Sequence, residues 1–145
     1  MLGQLTIKTF KDGILIRESG PFYNKVVSSN GYGRNLILRA LSGDTTYPVV
    51  INSASVGNSA TAPADADTGL GASLVASIPI TNMSVLNNIL TVDVFVADGS
   101  LANNTYKEFG LFCTARLLSR LIISPDYVKG TGQDTLFTYT LTMTG

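Results

Sequence analysis

Histidine is absent from this 145-residue chain, and that absence removes most of the chemistry a domain of its size could perform at neutral pH. General acid–base and nucleophilic catalysis need a group that titrates near neutrality beside a nucleophile, so neither a Ser-His nor a Cys-His arrangement can be built. Ser-Lys and paired-carboxylate mechanisms remain open in form, but the acidic residues are mostly scattered singly through the chain. The expectation is a non-enzymatic protein without a cofactor. Asp65 and Asp67, in the run Asp65-Ala66-Asp67-Thr68-Gly69, are the metal candidates, because alternating oxygen ligands ahead of a glycine resemble the start of a calcium loop. The distal bidentate Glu of such a loop is missing, and an acidic turn that caps its own backbone amides is the competing reading. Gly31-Tyr32-Gly33 resembles the first two glycines of a dinucleotide-binding turn, yet the third position is Leu36 and no βαβ pattern follows, which leaves turn and helix-start geometry. Cys113, the only cysteine, sits in an apolar strand and reads as a small buried thiol, with no disulfide or zinc framework around it.

The elements that would position these residues are mostly strands. Thr135, Phe137, Tyr139, Leu141 and Met143 alternate with polar residues, as a strand with one buried face requires. Asn88 to Ala97 alternates in the same way and runs into Asp98-Gly99. Tyr106 to Cys113 places Phe109, Leu111 and Cys113 on one face, and Leu117 to Ile123 is an aliphatic run closed by Ser124-Pro125. Pro48 to Val56 and Ala72 to Ile80 are two more expected strands. Pro79, which cannot donate to a ladder, puts the second at a sheet edge. Gly57 to Gly71 between them is expected to be an exposed, irregular loop. Leu5 and Ile7, then Ile14 and Ile16, flank Asp12-Gly13 in the pattern of a hairpin. Leu36, Ile37, Ala40 and Leu41 recur at helical spacing, with Asn30 as N-cap and Gly43 as stop, giving one short helix over about residues 31–42. The sum is a mostly β single domain over residues 1–145, an antiparallel β-sandwich or jelly-roll-like fold with one helix.

Composition points to adhesion. Ten basic and ten acidic residues cancel, 14% of the chain is charged and 45% is hydrophobic. A neutral, charge-poor surface favours association, whereas it gives nucleic acid or anionic lipid nothing to follow. Arg34, Arg39, Arg116 and Arg120 are too few and dispersed for a nucleic-acid track. No apolar run approaches the roughly twenty residues that span a bilayer, and Met1 to Lys8 alternates instead of forming the basic and apolar regions of a signal peptide. The expected place of synthesis is therefore the cytoplasm. Pro21-Phe22-Tyr23 puts two aromatics together, as local core or as an interface anchor.

Several segments in a fixed order carry a resemblance. They are Ala40-Leu41-Ser42-Gly43 at the helix end, Ile51-Asn52-Ser53-Ala54-Ser55-Val56-Gly57, Ser59-Ala60-Thr61-Ala62-Pro63, and Asp67-Thr68-Gly69-Leu70. Then come Lys107-Glu108-Phe109-Gly110-Leu111-Phe112, Leu118-Ser119-Arg120, Pro125, Lys129-Gly130 and Asp134-Thr135-Leu136. From residue 31 onwards the chain resembles a family of small β-rich virion proteins of tailed bacteriophages, described as tail-fibre, head-fibre or capsid-associated. Phe109 stands where that family's Glu-Ile-Gly-Leu-Phe strand has Ile, and residues 1–30 match less clearly. The resemblance implies a virion structural protein, assembled in the host bacterial cytoplasm. The first expectation is a capsid decoration or cement protein, dimeric or trimeric, whose partners are the major capsid protein or other virion subunits. The alternative is a tail, baseplate or fibre-attachment component. Residues 1–28 are expected to form an N-terminal arm or hairpin for assembly, with Leu5, Ile7, Phe10, Phe22 and Tyr23 as contact candidates. Within the strand motif, Gly110 is expected to lie where a neighbouring strand or ring presses on the backbone. Glu108 is expected to pair with Arg120 on an adjacent strand, and Phe112 completes the motif.

Overall fold

The computed structural model describes residues 1–145, and its elements are nine antiparallel strands and one α-helix. The first hairpin joins β1 (Leu2–Lys11) to β2 (Ile14–Val26) through Asp12 and Gly13, whose φ angles of 51° and 76° are the two positive values that a tight hairpin turn demands. Helix α1 (Arg34–Leu41) follows, then β3 (Ser53–Gly57) and β4 (Ser73–Pro79), separated by the long loop 58–72. Strands β5 (Asn82–Leu86) and β6 (Ile89–Val96) form a second hairpin. A single 3-10 turn at Asp98–Ser100 leads into β7 (Asn104–Cys113), β8 (Arg116–Lys129) and β9 (Gln133–Thr142).

These strands make one continuous sheet in the order β4-β3-β7-β8-β2-β1-β9-β6-β5, curled onto itself. Strand β2 is the joint: residues 14–23 pair with β1, while only Asn24–Val26 pair with β8. In one half of the curl, register stacks Leu5, Tyr139 and Val92 in a row, and Ile7, Phe137 and Val94 in the next. All six are fully buried. The other half answers with Val56, Phe109 and Leu121 in register. The halves meet where the Phe109 ring lies 5.1 Å from that of Phe137 and Tyr127 meets Phe137 edge-on at 6.3 Å. Fully buried aliphatic and aromatic side chains such as these each contribute roughly 1.5–3 kcal/mol, so this seam is the main source of stability.

The mostly-β character, the single helix and the edge position of Pro79 agree with the sequence. Other expectations are corrected. The layers are one curled sheet, not the two separate sheets of a sandwich. Strand β8 does not stop at Ser124-Pro125. Between the pairs Glu108↔Ile122 and Tyr106↔Tyr127 the register jumps, so Pro125 lies in a bulge of exposed residues where no ladder bond is asked of it. The helix starts at Gly33, not Asn30: a Cβ on Gly33 would sit 1.8 Å from the Val27 carbonyl oxygen, and φ there is 56°. Asn30 instead accepts from Arg39. Gly43, at φ 81°, ends the helix as expected. Strand β3 begins at Ser53, later than Pro48, and β5 has no counterpart among the expected strands.

Candidate functional site

The strand motif at Glu108 is a clamp. Its carboxylate is fully buried and accepts four hydrogen bonds: from Ser59 N–H (2.8 Å) and Ala72 N–H (2.9 Å) on Oε2, and from Gly71 N–H (2.7 Å) and Arg120 Nε (3.0 Å) on Oε1. Arg120, 2% exposed, spends its other nitrogens on the Asp67 carboxylate (3.0 Å) and the Thr61 carbonyl (2.7 Å). One ion pair between adjacent strands thus ties both ends and the middle of loop 58–72 to the sheet. No buried side-chain nitrogen or oxygen in the protein lacks a partner, which is the condition under which a buried pair of this kind is tolerated. Gly110 lies beneath the same loop: a Cβ there would come within 2.7 Å of Leu70 Cδ2, and Phe112, half-buried, flanks it at 3.4 Å. The expected Glu108–Arg120 pairing is present. The nearest group to Gly110 is the loop side chain of Leu70, with Leu117 of the neighbouring strand β8 at 3.3 Å and the Phe112 ring just beyond it.

Asp65 and Asp67 do not converge on a cation. Asp65 faces Arg34 (2.8 Å) and Lys25 (3.6 Å), while Asp67 takes Arg120 and the Ala64 N–H (2.9 Å), so the self-capping acidic turn describes this run. No cluster of three or more His, Cys, Asp or Glu is close enough to hold a metal ion. Elsewhere, charge fastens loops in the same manner. The buried Lys129 ammonium donates to the Asp98 carboxylate, to the Asp98 carbonyl (3.1 Å) and to Asn103 Oδ1 (2.9 Å). The hydrogen bond from Lys129 is the main cause that holds the Asp98 carboxyl below its usual range. Asp44, hydrogen-bonded by Thr46 and then by Arg39, is lowered to about 2. The six ion pairs occupy five of the ten cations and five of the ten acidic residues. Two further cations, Arg17 and Arg116, lie over tyrosine rings. The surface is thereby poorer in available charge than composition alone implies.

The N-terminal contact candidates are mostly core. Leu5 and Ile7 are fully buried and Phe22 nearly so, because β1 is an interior strand with β2 on one side and β9 on the other. Phe10 is half-buried, and only Tyr23 among the five is well exposed. Residues 1–28 do form a hairpin, but one built into the sheet; they are not a detachable arm. The large exposed apolar side chains lie elsewhere: Ile14, Leu15 and Ile16 just past the hairpin turn, Leu38 and Leu41 on the outer side of α1, and Val85 and Leu86 on β5. Ile14 and Ile16 were legible as the second arm of the hairpin, though not as exposed surface. The β5 surface was not legible, because Asn82–Leu86 is exposed throughout and carries no burial period.

Cys113 is buried, as expected, and burial pushes its thiol up to about 11. It lines an apolar cleft of about 250 Å³ with Ile37, Val50, Met83, Leu90 and Leu141. All nine lining residues are apolar, so the cleft has no polar group to orient a ligand. No helix is long and apolar enough to cross a membrane. Among known proteins, no family model matches the sequence, and no curated protein or solved structure matches it significantly.

Proposed function

We propose that the chain is a non-enzymatic structural subunit of a tailed-bacteriophage virion, a capsid decoration protein that stabilises the shell by burying surface against neighbouring subunits. One observation carries the reading. The accessible surface of 7193 Å² is what a compact monomer of 15.3 kDa exposes, about 7,150 Å² by the usual scaling. The exposed aliphatic side chains therefore sit on an already well-packed molecule, as surface available to a partner. Val85 is 72% exposed, Leu41 79% and Ile14 68%, and seven of the ten cations are already held in ion pairs or over tyrosine rings of the same chain. A shell subunit needs on the order of 800 Å² of such surface per neighbour. The clamped loop fits this role, since a surface that must meet a neighbour in one shape gains from a loop held at both ends.

The test is the copy number of the chain in purified particles, measured by quantitative mass spectrometry against the major shell protein. Hundreds of copies per particle are expected. A handful matching the symmetry of the tail would move the protein to the tail or baseplate, and absence from particles would end the proposal.

A further inference from the structure

The two outer strands of the sheet are β4 and β5, and they differ in how well they are protected from a further strand. Free edges usually carry a charge, a proline or a bulge, which blocks edge-to-edge pairing. Strand β4 ends in Pro79, holds Ser77 at φ 58° and pairs with β3 through two register shifts. Strand β5 has none of these. It pairs with β6 over all five residues without a break, and its other edge is open. It lies within a stretch from Thr68 to Val92 that contains no Asp, Glu, Lys or Arg.

We propose that β5 is a self-association edge, on which a second copy of this chain adds its own β5 antiparallel across a twofold axis, extending the curled sheet from one copy into the next. Twofold pairing is self-complementary, because wherever a residue of one copy meets a second residue of the other, the reverse contact is made as well. For a five-residue strand centred on Ser84, Met83 of one copy faces Val85 of the other. Any charge on such a strand would lie near its own like, and like charges placed opposite are destabilising. A charge-free strand is the composition that admits a second copy. Met83 and Val85, 38% and 72% exposed, and Leu86 beside them supply apolar surface for the new joint to bury.

The proposal rests on the reading of the chain as an assembly subunit, and it is tested on the purified full chain without any particle. Light scattering coupled to size-exclusion chromatography, over a concentration series, should give a mass of two chains that dissociates on dilution. Val85→Lys should weaken the dimer by about tenfold or more, the scale of a 1.4 kcal/mol like-charge penalty. Its thermal midpoint should stay near that of the parent, since the site is exposed. Mixing Val85→Lys with Val85→Glu should restore a two-chain species, which a merely unfolded variant cannot do. Leu74→Lys on β4 should leave the dimer intact. A parent chain that stays monomeric, a Val85→Lys variant that still dimerises as tightly, or dissociation caused by the β4 change instead would overturn the proposal. The chain's presence in particles would be untouched by any of these results, so the failure of this edge and the failure of the virion reading are told apart.

Discussion

Glu108 shows how one buried carboxylate can organise a whole loop. Its four donors include three backbone N–H groups of loop 58–72, and the fourth is the buried Arg120 guanidinium. Replacing it by Gln turns an amide NH₂ toward N–H donors and leaves the buried Arg120 with Asp67 as its one remaining charge partner. Breaking a buried pair from one side costs about 3–5 kcal/mol. Glu108→Gln should therefore lose stability of that order in urea unfolding, and limited proteolysis should cut first between Ser59 and Gly71. A second expectation at this scale is alkaline. Burial raises the folded Cys113 thiol to about 11 from its ordinary 9.0, and the Tyr139 hydroxyl to about 12 from 10.0. A raised acid is protonated in the folded state when the unfolded chain has already ionised. Its contribution is thus complete below the unfolded pKa and is lost as pH climbs toward the folded one. Stability should fall between pH 9 and 11 by roughly 2–3 kcal/mol from Cys113, with Tyr139 continuing the decline from 10 to 12. Cys113→Ser should flatten the first part of that fall, as read from urea midpoints across the pH range.

At the scale of elements, β1 is the least dispensable strand. It pairs with β9 at ten positions and with β2 on its other side, and it contributes Leu5 and Ile7 to the seam. Deleting residues 1–22 should leave a chain without a cooperative thermal transition, whereas Tyr23→Ala should fold normally by circular dichroism. The alternation of Leu5 and Ile7, and of Phe137, Tyr139 and Leu141, was legible because a half-buried strand has period two. Alternation says that a face is covered but not by what, which is why residues of an interior strand could be taken for contact residues. Strand β5 was illegible because it is exposed on both faces and leaves no period. The continuation of β8 past Pro125 was hidden because a bulge removes the ladder position that a proline would have spoiled. The start of α1 depends on the Val27 carbonyl pressing on Gly33, a contact between segments that local capping rules do not see. The Glu108–Arg120 pair was foreseen because the two residues lie on strands expected to be neighbours, whereas the loop they anchor comes from almost fifty residues away along the chain.

For the whole molecule, low charge and the lack of histidine were readable at once, and they frame the proposed role as adhesion. What composition does not reveal is that ion pairs and tyrosine rings engage seven of the ten cations within the fold, leaving only Lys8, Lys11 and Lys107 outside such contacts. Nor does it reveal which strands are edges, since the order of a sheet is set by pairing between distant segments. A molecule built this way has a well-satisfied interior and a charge-poor exterior whose exposed aliphatic side chains gather at β5, at the start of β2 and on the outer side of α1. Hydrogen–deuterium exchange on the free chain and on the chain within purified particles tests this most directly. The account expects the amides of Asn82–Leu86 and of Ile14–Ile16 to slow by at least about tenfold on the particle, while the seam strands keep their rates. Equal exchange at those segments in both states would contradict it.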